Sequence, residues 1–101
     1  MRQKLTTALS SVTSSPGIKS DGEGYLSNVG VVADIYSTGA AAFVGSCQWQ
    51  TSPDNVTFSN TGVAFTGGTF NTQNITLNEY VRLNVTAYTS GTIQGRYFTD
   101  I

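Results

Sequence analysis

The stretch SCQWQTSPDNVTF, residues 46–58, decides the fold. It reads as a strand, a tight turn and a returning strand. Pro53 is pre-set for the first central position of a type I turn and Asp54 suits the second. Asn55 tolerates the left-handed conformation that closes such a hairpin. Ahead of the turn, side chains alternate between the two faces of the strand, so Phe43, Cys47 and Trp49 share one side. Trp49 is the only tryptophan of the chain, and its place in this set predicts an indole at the centre of a core. Beyond the turn, Val56 and Phe58 are expected to carry the strand back as far as SNTG, residues 59–62.

The same alternation recurs on either side. In VGVVADIY, residues 29–36, Val29, Val31, Ala33 and Ile35 oppose Val32, Asp34 and Tyr36. In EYVRLNVTAY, residues 79–88, Val81, Leu83, Val85 and Ala87 point one way. Tyr80, Arg82, Asn84, Thr86 and Tyr88 point the other. The closing strand TIQGRYFTDI, residues 92–101, puts Ile93, Tyr97 and Ile101 on one face, with Gly95 marking a bulge or a close approach. AAAFV, residues 40–44, is apolar on both sides and predicts an end covered on both faces. Turns fall at SDGEG (20–24), with Tyr25 and Leu26 opening the next strand, and at STG (37–39), GG (67–68) and TSG (89–91). Residues 66–74 are the least regular part, the place in the chain that best suits a functional loop if there is one. Seven or eight short strands spaced by about 8–12 residues predict an all-β fold, a single antiparallel β-sandwich, Ig-like or jelly-roll-like.

Composition narrows the function. The 101 residues suit one domain, and only 11% are charged, with a net charge of −1. Because 39% are hydrophobic, many of them β-branched or aromatic, low charge here does not imply disorder. Five scattered basic residues leave no footprint for nucleic acid or an anionic membrane. No run approaches the roughly eighteen apolar residues of a membrane span, and MRQKLTTALSSVTSS lacks the apolar stretch of a signal peptide. With one cysteine and no histidine, neither an internal disulfide nor a paired-cysteine metal site is expected, and no cofactor either. Cys47 reads as a small core residue. Asp21 and Glu23 are the only neighbouring acids, in a turn without the spaced oxygen ligands of a calcium loop. No nucleophile elbow, phosphate loop or triad histidine is present, so no enzyme is expected. The sequons at Asn55, Asn74 and Asn84 read as chance matches in a chain rich in Asn and Thr.

Residues 1–15 are polar enough for an N-terminal arm or an edge strand, with the sandwich domain over 16–101. Tyr36, Tyr80 and Tyr88 oppose the apolar faces of their strands. With Arg82, and with Arg2, Lys4 and Leu5 of the arm, they form the candidate partner surface, a setting in which tyrosine is enriched. The rival expectation is a carbohydrate-binding or adhesion domain in which an exposed Trp49 stacks on sugar.

Three features, in order, resemble a group of small β-sandwich proteins of tailed bacteriophage particles. They are the hydroxyl–Gly turn feeding the strand with Trp49, SPDN and Phe58; the strand Glu79 to Tyr88; and the closing TSGTIQGRYF of Thr89 to Phe98. Together they cover roughly the last two-thirds of the chain. The pattern common in that group, S-x-DG-x-x-W, here has Asn55 in place of Gly and Phe58 where Trp is common. The resemblance implies a virion protein, assembled in the host cytoplasm, that decorates or cements the capsid. Its partners would be the major capsid protein or other virion proteins, with a trimer as the favoured homo-oligomer. It further implies that chain termini reach neighbours, so that deleting residues 1–15 would abolish particle binding and leave the domain folded.

Overall fold

Each strand has one apolar face to bury, and the chain buries it by stacking two sheets. The computed structural model describes residues 2–19 and 29–99, and every regular element there is a strand. The strands are β1 (Arg2–Leu5), β2 (Ile18–Lys19), β3 (Val29–Ser37), β4 (Val44–Ser52), β5 (Ser59–Phe65), β6 (Phe70–Leu77), β7 (Tyr80–Ser90) and β8 (Ile93–Thr99). All pairings are antiparallel. The first sheet runs β1-β8-β3-β6 and the second β2-β7-β4-β5. Pairing 1 with 8, 2 with 7, 3 with 6 and 4 with 5 is what a long folded-over hairpin gives. The sandwich is therefore a jelly roll of two Greek keys, not Ig-like. The cluster Ser20 to Gly24, with Asp21 and Glu23, the opening at Tyr25 and Leu26, and Ile101 lie outside the described residues.

Trp49 on β4 sits at the centre of the core with no exposed surface, its indole edge-on to Tyr97 of β8 at 6.0 Å between ring centroids. The two residues belong to different sheets, so this aromatic pair joins the layers. Ala33, Ile35, Leu77, Val81, Leu83 and Ile93 complete the middle of the core. Cys47 is buried beside them, and burial pushes its thiol up to about 12, which makes it inert as a nucleophile.

Residues 2–15 are built into the sandwich. After β1 the chain stays on β8, through Thr6 N–H to Gly95 O and the reciprocal pair between Leu9 and Ile93. It then crosses to the second sheet. Val85 N–H donates to Thr13 O, and Ser15 N–H donates to Leu83 O. Leu9 belongs to the core, and Thr6 and Ser15 are buried with their hydroxyls accepting from the N–H groups of Gly95 and Leu83. These contacts argue against removing the segment from an intact domain, because its polar side chains are spent on main-chain groups inside the fold.

The hairpin after Trp49 differs from its expected form. Asn55 takes the left-handed conformation (φ 61°) as anticipated, but the strand resumes only at Ser59, and Val56 is 81% exposed. The cause is Asp54. Its carboxylate Oδ1 accepts from Val56 N–H (2.9 Å), Thr57 N–H (2.9 Å) and Ser52 Oγ (2.8 Å), taking the donors that a ladder would use. Phe58 then folds back over the Arg82 guanidinium, 3.9 Å from the ring centroid. The hydrogen bonds from Thr57, Val56 and Ser52, in that order, hold the Asp54 carboxyl below its ordinary 3.8. A lowered folded-state value stabilises the loop above the unfolded value and is lost as pH falls through the folded one. The stability gap between the native chain and Asp54→Ala is therefore expected to be constant from neutral pH down to about 4 and to shrink below it. Urea midpoints at pH 7, 4 and 2.5 measure this; a gap unchanged at the lowest pH contradicts it.

Three further expectations are corrected. The AAAFV end is covered on one side only: Ala41 and Val44 are exposed, and Phe43 alone turns in, against Phe65 and Tyr88. Residues 70–74 are strand, because β6 is an edge whose inward positions turn apolar only at Ile75 and Leu77. Tyr88 points inward and Ala87 is exposed, the reverse of simple alternation. The register of β4 on β7 slips twice, between Ser46 and Cys47 and between Val44 and Gly45. Each slip gives β7 one extra residue and reverses its faces.

Candidate partner surface

The seven residues read as a partner surface do not come together. Tyr80 and Arg82 lie on the second sheet, whose outer face carries a chain of side-chain hydrogen bonds. Arg82 Nε donates to Gln50 Oε1 (2.8 Å), Gln50 Nε2 to Asn60 Oδ1 (3.0 Å), and Ser14 Oγ to Asn84 Oδ1 (2.6 Å). Tyr88 packs against the core and donates its hydroxyl hydrogen to Gly91 O. Lys4 pairs in register with the inward-facing Tyr97, and Arg2 opens β1 opposite Thr99. Leu5 and Tyr36 are the two that share one face, the outside of the first sheet.

That face follows from register. Leu5, Arg96, Asp34 and Thr72 form one row across β1, β8, β3 and β6. Asn74 and Val32 lie beside Phe98 and Gln3 on one side of the row, and Gln94, Tyr36 and Phe70 lie on the other. Leu5 (46%), Val32 (47%) and Phe70 (55%) are each about half exposed and lie on this one face, whereas the exposed valines of the second sheet, Val44 and Val63, sit on separate strands, β4 and β5. At the middle, Arg96 Nε donates to Asp34 Oδ2 at 2.8 Å, and Thr72 Oγ1 donates to Asp34 Oδ1 at 2.8 Å. Asp34 is buried by this arrangement while the Arg96 side chain stays one-third exposed. The guanidinium lies over two rings, 5.0 Å from the Tyr36 centroid and 5.7 Å from that of Phe98.

Val32, Phe98, Phe70 and Arg96 were missed as members of this surface. Parity alone points to Val32 beside Tyr36, and to Arg96 and Phe98 opposite Ile93 and Tyr97. Phe70 carried no such signal, since its strand is not legible as one. The reading of Trp49 as a sugar platform is overturned by its complete burial.

The lateral gap on the far side of the sandwich is closed. Gln73 of β6 accepts from Val63 N–H (2.7 Å) and donates to Val63 O (3.0 Å) on β5. Thr76 N–H donates to Thr61 Oγ1 (2.9 Å), whose hydroxyl donates to Thr76 O. These bonds occupy main-chain groups that an edge would otherwise offer to another chain. Among the described residues no three His, Cys, Asp or Glu side chains are grouped to hold a metal ion, and no helix is long and apolar enough to cross a membrane.

No curated protein matches the chain. The family described as Domain of unknown function (DUF8696) matches it over residues 26–98, from just before β3 into β8. That span is well over half of the sequence, and the chain belongs to this family.

Proposed function

We propose that the protein is a non-enzymatic virion structural protein that docks on the shell of a tailed phage and decorates or cements it. The observation that carries this reading is the half-exposed apolar face of Leu5, Val32 and Phe70 around an arginine framed by aromatic rings. Arginine and aromatics at the centre of an apolar patch are what protein interfaces are enriched in. The resemblance of the Trp49 hairpin and of the segments Glu79 to Tyr88 and Thr89 to Phe98 to phage particle proteins supplies the partner class. Jelly rolls serve in capsid proteins and in lectins alike, so topology accommodates this role without choosing it.

Docking moves from the N-terminal arm to the sheet face, because the arm's hydrogen bonds are made within its own domain. A trimer remains the proposed copy number on the shell. Co-production with the major capsid protein of the same phage, followed by gradient sedimentation, tests the reading. The chain should travel with the shells at a fixed ratio, and the exposed-site variant Val32→Ser/Phe70→Ser should stay behind while folding normally. Native chain absent from the shell fractions would overturn the proposal.

A further inference from the structure

Arg96 is anchored at its root and unspent at its tip. Its Nε is committed to Asp34, and that is the guanidinium's only hydrogen bond among the described residues. Among the described residues the terminal nitrogens keep their donors, in a fork whose geometry matches a carboxylate. Asp34 and the two flanking rings fix the direction of the side chain, so a docking acid group orders little that is not ordered already. Apolar surface lies on both sides of it, Phe98 with Val32 and Tyr36 with Phe70.

We infer that the partner seated on this face is a protein surface presenting an aspartate or glutamate to Arg96, with apolar side chains on either side of that acid. This rests on the reading of the face as a docking surface and names the chemistry it selects. Among the described residues, a second copy of the chain offers no free carboxylate through the same face. The one carboxylate described there is Asp34, which is buried and already paired with Arg96 and Thr72. Two copies laid face to face would bring guanidinium towards guanidinium.

The test uses small probes on the whole isotopically labelled chain. Phenylacetate joins a carboxylate to an apolar ring; phenylacetamide has the same shape without the charge. In amide and Arg Nε–H spectra, phenylacetate should shift Arg96 Nε–H and the amides of Val32, Tyr36 and Phe98, and bind about tenfold or more tightly than phenylacetamide. Arg96→Lys keeps a cation for Asp34 but loses the fork, and should bring phenylacetate down to the amide's affinity. Equal binding of acid and amide, largest shifts at Arg82 and Gln50, tighter binding of inorganic phosphate, or an unaffected Arg96→Lys would each overturn the inference. Shell sedimentation separates the two claims. Shells that hold native chain and Arg96→Lys equally sink the carboxylate contact and leave docking standing. Shells that bind neither, with the phenylacetate response intact, sink the virion role alone.

Discussion

Deletion of residues 1–15 is expected to unfold the protein. Leu9 is a core residue, and losing a buried leucine side chain typically costs about 2–5 kcal/mol. The deletion also strips main-chain partners from Leu83, Val85, Ile93 and Gly95 on the two central strands β7 and β8. At about 0.5–1.5 kcal/mol for each hydrogen bond lost, the total reaches the whole stability of a small domain, about 5–15 kcal/mol. The truncated chain should lack near-ultraviolet circular dichroism and a cooperative urea transition, and Leu9→Ala in the full chain should move the midpoint by a cost within the single-leucine range. A truncated chain that melts cooperatively at the native midpoint would show that β1 and the crossing segment are dispensable.

This segment also marks where sequence reasoning stops. Five apolar residues among many hydroxyls in 1–15 carry no periodicity, because the segment serves two sheets in turn and, among the described residues, faces the core at Leu9 alone of its apolar positions. Hydrogen bonds from main-chain N–H groups to the hydroxyls of Thr6 and Ser15 do the remaining work, and such bonds leave no hydropathy pattern. The central strands behave otherwise. Val81, Leu83 and Val85 alternate against polar neighbours, and Ala33 with Ile35 against the outward Val32, Asp34 and Tyr36, because one face of each strand meets the other sheet. There alternation alone places the core correctly. It fails at Tyr88, where bulges add residues that no local composition announces. It fails again at Val56, where one carboxylate gathers the main-chain donors after the turn. The partner surface was half legible for the same reason. Outward parity identifies Tyr36, whereas which outward residues become neighbours depends on the strand order 1-8-3-6, and that order is set by contacts distant in sequence.

The second large effect lies where the sheets touch. Trp49→Ala is expected to cost about 3–5 kcal/mol, as truncation of buried large aromatics does. Trp49→Phe should cost clearly less. It keeps a ring against Tyr97 and removes an indole N–H that has no partner among the described residues, a group whose burial itself costs about 1–3 kcal/mol. Gly95 gives the sharper measurement. A Cβ built there would stand 2.6 Å from both Cη2 and Cζ2 of Trp49, and 3.5 Å from Leu83 Cδ2. The glycine is needed because β8 runs under the far edge of the indole with no room for a methyl group. Gly95→Ala should therefore cost about 1–3 kcal/mol through overpacking. The indole is locked between two sheets and cannot retreat.

With phenylalanine at position 49 the outer indole atoms are gone, so the same Gly95→Ala change should cost little or even stabilise. The four urea midpoints of the double-mutant cycle should then give a coupling of about 0.5–3 kcal/mol, with the two changes together costing less than their sum. Additive costs would mean that Gly95 is required for its own backbone and not for the indole, and that the two layers are held elsewhere. Coupling of the expected sign ties one residue of β4 to one residue of β8 across the layer boundary. In a chain without a disulfide, that contact is what keeps the first sheet's outer face, with Arg96 at its middle, in one shape for a partner to meet.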